Sequence, residues 1–129
     1  MKWTLILSVA LLAEPAAAHD PWTLLDTTLE ASGAALQLVD WSTTLNDARP
    51  KYWDGERWVI AVESWNPILG RRPSEAKVNV YFAGTLLAHA AIAYALPRPW
   101  RTLWQVAWIG MEADADAYNV AGGLRLELP

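Results

Sequence analysis

Seventeen consecutive residues, Val80 to Leu96, carry no charge other than the one His89 can take up. A helix of that composition is apolar almost all round, so protein or lipid must cover every side of it. Its length sits at the lower end of the range that crosses a bilayer's hydrocarbon core, for which about 20 residues are usual. Ser74 stands where a helix N-cap belongs, and Pro97 cannot continue a helix. The pattern therefore predicts a helix over about 75–96.

Two further helices flank it. The stretch from about 21 to 45 has no internal proline, and Asp20 followed by Pro21 reads as an N-cap and first helical residue. Its polar and small residues are Asp26, Glu30, Gly33, Gln37, Asp40 and Thr44, at steps of 4, 3, 4, 3 and 4. That is the helical repeat, so they form one narrow stripe. A third helix is predicted over about 99–121, closed by Gly122-Gly123. Arg101, Gln105, Glu112 and Asn119 lie along one of its faces. Between the first two helices, 46–73 is the polar loop. Pro50 and Asp54-Gly55 mark turns there, and Asn66-Pro67 opens a short turn stopped at Gly70. Trp58 to Val62 reads as a short strand or an interfacial helix. The fold class is all-α, a three-helix bundle.

The N-terminal segment, 1–18, is read separately. Lys2 is followed by an apolar run from Trp3 to Ala13 and by Ala16-Ala17-Ala18. A positive start, a short apolar stretch and an A-x-A ending describe a secretory signal peptide, cleaved after Ala18; an uncleaved anchor is the alternative. Both place His19 away from the cytoplasm and make 19–129 the bundle domain.

Composition narrows the environment. The chain has 129 residues, 53% hydrophobic and 19% charged, with a net charge of −4 and no cysteine. The charge argues against a nucleic-acid partner, and without cysteine there is no disulfide framework or thiolate chemistry. Nine tryptophans are present, and Trp22, Trp41, Trp100 and Trp104 fall toward helix ends, where membrane proteins place aromatic belts. With His19 outside, the loop holding Arg49, Lys51, Arg57, Arg71 and Arg72 is cytoplasmic and the opposite turn holds Arg98 and Arg101. This satisfies the positive-inside rule. The expectation is a bacterial inner-membrane bundle with the lipid bilayer as its partner, as a homo-oligomer or part of a larger complex. Asp26, Glu30, Asp40, Glu112, Asp114 and Asp116 are many acids for three spans, each costing about 2.5–3.5 kcal/mol at the bilayer centre. A soluble periplasmic bundle accommodates Asp114 easily but leaves Val80–Leu96 unexplained.

The polar stripes define the candidate site: Asp26, Glu30, Gln37, Asp40, His89, Arg101, Gln105, Glu112 and Asn119. Carboxylates converging with a histidine suit a hard or borderline metal. The Glu-x-x-His pairs of di-iron bundles and the His-Glu-x-x-His motif are both missing, so the expectation is a structural network and no metal or cofactor. In it Arg101 neutralises an acid, while Gln37, Gln105 and Asn119 satisfy buried partners. No serine has a nucleophile frame and no glycine-rich phosphate loop occurs, so no catalytic residue is assigned.

The elements His19-Asp20-Pro21-Trp22-Thr23, Asp40-Trp41, Asn66-Pro67-Ile68-Leu69-Gly70, Pro73-Ser74, Val78-Asn79, Tyr81-Phe82, His89, Leu96-Pro97 and Trp100-Arg101 together resemble a group of short uncharacterised membrane-associated proteins of proteobacteria and their phages. The Asn-Pro-x-Leu-Gly element is similar to one in a broader class of small membrane proteins. The resemblance covers nearly all of 19–129 and implies architecture, with no assigned activity. The acid-rich Glu112–Asp116 segment departs from the more apolar helix it implies. The expected function is a small, non-enzymatic, accessory membrane protein. The rivals are a holin-like or envelope lysis protein, a metal-dependent membrane enzyme, and a soluble periplasmic binding module.

Overall fold

The computed structural model describes residues 20–49, 52–53, 55–56, 58–59, 66–124 and 126. The N-terminal segment assigned to export, the stretch 60–62 and most of the tail lie outside the described residues. Three helices carry the fold: α1 (Leu24–Ala48), α2 (Glu75–Ala95) and α3 (Trp100–Ala121). Between α1 and α2, β1 (Tyr52–Trp53) pairs antiparallel with β2 (Trp58–Val59), Tyr52 opposite Val59 and Trp53 opposite Trp58. Gly55 takes the positive φ (107°) of the turn between them.

Helix α1 begins three residues later than the Asp20-Pro21 pattern suggests, because Thr23 is the cap. Thr23 Oγ1 accepts from the Asp26 backbone N–H (3.4 Å), and the Asp26 carboxylate accepts from the Thr23 N–H (2.8 Å). This reciprocal capping box satisfies two helix-end donors at once. Asp20 instead accepts the backbone N–H of Arg98 at 2.7 Å. At the other end α1 runs on through Asn46 and Asp47, which are buried, and stops before Pro50, with Arg49 in the extended conformation that a following proline favours.

The connection into α2 is built as its sequence implies. Asn66 Oδ1 accepts from the N–H groups of Ile68 and Leu69 (2.9 and 3.2 Å), and Gly70 closes the turn at φ 81°. Ser74 Oγ accepts the Lys77 N–H at 3.2 Å. Helix α3 ends in a Schellman arrangement: the Gly123 N–H donates to Val120 O and the Leu124 N–H to Asn119 O, both at 3.0 Å.

The cross-helix pairs fix the topology. Going along α1, Glu30, Gln37 and Trp41 meet His89, Thr85 and Asn79 of α2 in descending order, so those helices are antiparallel. Asp26, Glu30 and Asp40 meet Arg101, Gln105 and Asn119 of α3 in ascending order, so α1 and α3 run parallel. Gly33 lies in the contact between α1 and α3. A Cβ placed there would stand 3.3 Å from Trp108 Cδ1 and 3.5 Å from Ile109 Cγ1.

The interior is unusual in its chemistry. Leu45, Leu69, Val78 and Phe82 form one apolar cluster near the C-terminal end of α1, with Trp41, Ala48 and Tyr81 against it. Trp41 stacks on Phe82 (6.0 Å between centroids), and Tyr81 meets Phe82 edge-on (5.1 Å). Elsewhere the buried side chains are mostly polar: Asp26, Gln37, His89, Arg101, Gln105, Glu112 and Asp116. The outside carries the apolar groups, with Leu24 82%, Val80 74% and Leu87 72% exposed. Among the described residues one helix, Glu75–Ala95, is long and apolar enough by length and composition to cross a membrane.

Candidate functional site

A polar seam runs the length of the bundle, mainly between α1 and α3, and is built in successive levels. At the first, Asp26 is fully buried and one of its oxygens, Oδ2, gathers the Thr23 N–H and hydroxyl (2.8 and 2.7 Å), Arg98 Nη2 (2.6 Å) and Arg101 Nη1 (3.5 Å). Arg101, 1% exposed, also donates Nε to the carbonyls of Ala93 and Leu96 (3.0 and 3.1 Å) and Nη2 to that of Asp20 (3.1 Å). A guanidinium suits this place, because its fixed fork can serve several acceptors. Two of those acceptors are terminal carbonyls of α2, where the helix dipole is negative. Its Cζ lies 5.3 Å from the Trp22 ring centroid, in cation–π range.

One turn further in, all three helices meet through side chains. Gln105 Nε2 of α3 donates to the Asp26 carbonyl and to Glu30 Oε2 of α1, both at 3.0 Å. The other Glu30 oxygen is 2.8 Å from His89 Nδ1 of α2. The imidazole packs against the indoles of Trp104 (5.2 Å) and Trp108 (4.6 Å), which also contact each other (6.3 Å), and Trp104 Nε1 donates to the His89 carbonyl at 3.3 Å. Below this, Gln37 Nε2 donates to Phe82 O (3.3 Å) and to Thr85 Oγ1 (2.7 Å). At the last level the half-buried Asp40 accepts from Thr44 Oγ1 (3.2 Å) and Asn119 Nδ2 (2.7 Å), and Asn119 also donates to Thr43 Oγ1 (2.9 Å). Trp41 Nε1 donates to Asn79 Oδ1 at 2.8 Å. Glu112 and Asp116 are buried on α3 at the same end, facing the charge of Asp40.

All nine residues singled out in the sequence thus lie on the seam, but they do not converge on a point. Fourteen residues of helix separate Asp26 from Asp40, about 21 Å at 1.5 Å per residue. Among the described residues no three histidine, aspartate or glutamate side chains stand together as a metal ion requires. The helical repeat puts residues on one face; it does not bring successive turns together. Arg101 does meet an acid, Asp26, and Gln37, Gln105 and Asn119 each bridge helices. Arg98, read from the sequence only as a loop charge, in fact shares Asp26. Thr85, Asn79 and the indoles around His89 were also missed. Nothing in a single chain marks them, since each depends on which helix lies opposite.

The seam is incompletely satisfied. At the first two levels Asp26 Oδ1, Gln105 Oε1, His89 Nε2 and Trp108 Nε1 are buried without a hydrogen-bond partner. Further along, the same holds for Gln37 Oε1, Glu112 Oε2 and both Asp116 carboxylate oxygens. Each such atom costs about 1–3 kcal/mol of desolvation without return. Asp114, by contrast, is exposed on the outside of α3.

Compared with protein-family models, with curated proteins and with solved structures, the chain matches none.

Proposed function

We propose that the protein is an integral membrane protein whose three helices span the bilayer, its polar seam turned inward and its apolar side chains facing lipid. The observation that carries this is the inversion of sidedness: buried Asp26, Arg101, Gln105 and Glu112 against exposed Leu24, Val80, Leu87 and Leu103. In water the hydrophobic effect drives the opposite arrangement. In lipid, apolar surface outside costs nothing, and polar contacts between helices hold the bundle together.

The charges support one orientation. Arg98 and Arg101 are engaged by Asp26 at one end. The other end carries Arg49, Arg71, Arg72 and Lys77. The loop between α1 and α2 therefore faces the cytoplasm and the Asp20 end faces outward, in a bacterial inner membrane. The role is accessory and non-enzymatic, exercised as a homo-oligomer or within a larger membrane complex. Membrane fractionation tests the reading. The protein should stay with membranes through a carbonate wash and leave them only with detergent. Recovery in the soluble fraction without detergent refutes it, and favours the soluble bundle to which exposed Asp114 is suited.

A further inference from the structure

We propose that the seam is a path for protons across the membrane, with the Glu30–His89 pair as a station one turn in from its Asp26 end. The proposal rests on the membrane-spanning reading above.

The first ground is where the unsatisfied atoms lie. A purely structural network in a low-dielectric interior pairs its members. Here the unpartnered atoms recur from one end of the seam to the other, from Asp26 and Gln105 through His89 and Trp108 to Glu112 and Asp116. Three of the residue types are ones that bind and release a proton, and the uncharged Gln37 Oε1 points to the same need for a donor.

The second ground is spacing. Along α3 the levels fall at Arg101, Gln105, Trp108, Glu112 and Asp116. No step exceeds four residues, about 6 Å of helix rise. Two waters linked by hydrogen bonds of about 2.8 Å cross such a step. Where Gly33 lets α1 and α3 close on each other, the Trp108 indole occupies the gap, and its Nε1 is the unpartnered donor there.

The third ground is the histidine. With Nδ1 engaged by Glu30, the neutral ring presents a lone pair at Nε2. A proton from the Glu112 side binds that lone pair and gives an imidazolium facing the Glu30 carboxylate. The proton on Nδ1 can then pass to Glu30 Oε1 and from there to water on the Asp26 side, which leaves the ring neutral with its proton on Nε2; a ring flip that turns this N–H toward Glu30 restores the starting state. Only protons move, and no co-reactant is consumed. The charged groups around the ring are Glu30 and, a turn away, Asp26 on α1, with Arg101 and Glu112 on α3. Helix α2 has no charge of its own between Lys77 and the end of the helix.

The test uses the purified full chain reconstituted into phosphatidylcholine–phosphatidylglycerol vesicles. A pH-sensitive dye is trapped inside, and a potential is imposed with a potassium gradient and valinomycin. Flotation of protein with vesicles is scored first; failure to float refutes the membrane reading itself. Protein that floats should acidify or alkalinise the lumen at least about tenfold faster than protein-free vesicles, equivalent to ~1.4 kcal/mol on the barrier. His89→Gln and Glu112→Gln should each remove most of that gain while still floating, and Asp114→Asn, on the exposed side, should keep it. Should one variant fail to float, the other decides. Vesicles no leakier with wild-type protein than without it overturn the proposal. So does flux indifferent to both variants, or flux accompanied by release of a trapped small dye, which marks a general pore.

Discussion

Gly33 offers the sharpest test of how the bundle is held. Its position allows α1 and α3 to approach until an added Cβ would be 3.3 Å from Trp108 Cδ1 and 3.5 Å from Ile109 Cγ1. Gly33→Ala gains up to about 1 kcal/mol of helix propensity and meets a contact that is tight by a few tenths of an ångström. The two nearly cancel, and the expected change is within about 1–2 kcal/mol. Gly33→Leu is different, because three further carbons enter a filled contact and must part the helices. Overpacking of that kind costs about 1–3 kcal/mol. Parting also stretches the bonds on either side, Gln105 to Glu30 at 3.0 Å and Asn119 to Asp40 at 2.7 Å. At about 0.5–1.5 kcal/mol each, and with about 0.8 kcal/mol of helix propensity regained, the net loss comes to about 1–5 kcal/mol. Reversible unfolding in mixed detergent micelles, followed by tryptophan fluorescence, measures it, with Trp108 reporting from the contact itself. A Gly33→Leu protein within 1 kcal/mol of wild type would refute close α1–α3 packing at this level.

Three other outcomes follow from named contacts. Arg101→Met leaves Asp26 with Arg98 and Thr23 but strips the donor from the carbonyls of Ala93, Leu96 and Asp20, and should cost about 1–3 kcal/mol by the same unfolding measurement, with faster amide exchange at the end of α2; Arg101→Lys should recover little, lacking the fork. Thr23→Ala removes the capping hydroxyl of α1 and should cost about 1 kcal/mol, whereas Thr23→Ser should be close to neutral. Leu87→Asp places a charge on the outward side of α2: in a bilayer it should weaken insertion by about 2.5–3.5 kcal/mol, read as carbonate-extractable protein. On a soluble bundle the same substitution should change stability by no more than about 0.5 kcal/mol.

Much of the local structure could be read in the chain because it is set by near neighbours. Ser74 caps α2, Pro97 follows its end, Gly122 and Gly123 end α3, and Asn66 to Gly70 close a turn, all through contacts within about five residues. The 4–3–4 spacing likewise placed the acids and amides on common faces. The start of α1 was misread because Asp20-Pro21 and Thr23-x-x-Asp26 are both plausible caps, and the choice turned on Arg98, 78 residues away from Asp20, which claims that carboxylate.

The chain alone, then, determined three helices, their approximate ends and which sides of them are polar, since backbone hydrogen bonding and side-chain periodicity are local. Alternating directions already follow from reading the chain as three consecutive spans; only the tertiary structure decided the order of levels, which residues of α2 and α3 lie beside each residue of α1. That order sets Arg101 on Asp26, Glu30 between His89 and Gln105, and Asn119 on Asp40. It also strings the acids along about 21 Å of helix, where periodicity leaves their axial separation unchanged. Partners across helices depend on register, and no spacing within one segment encodes it.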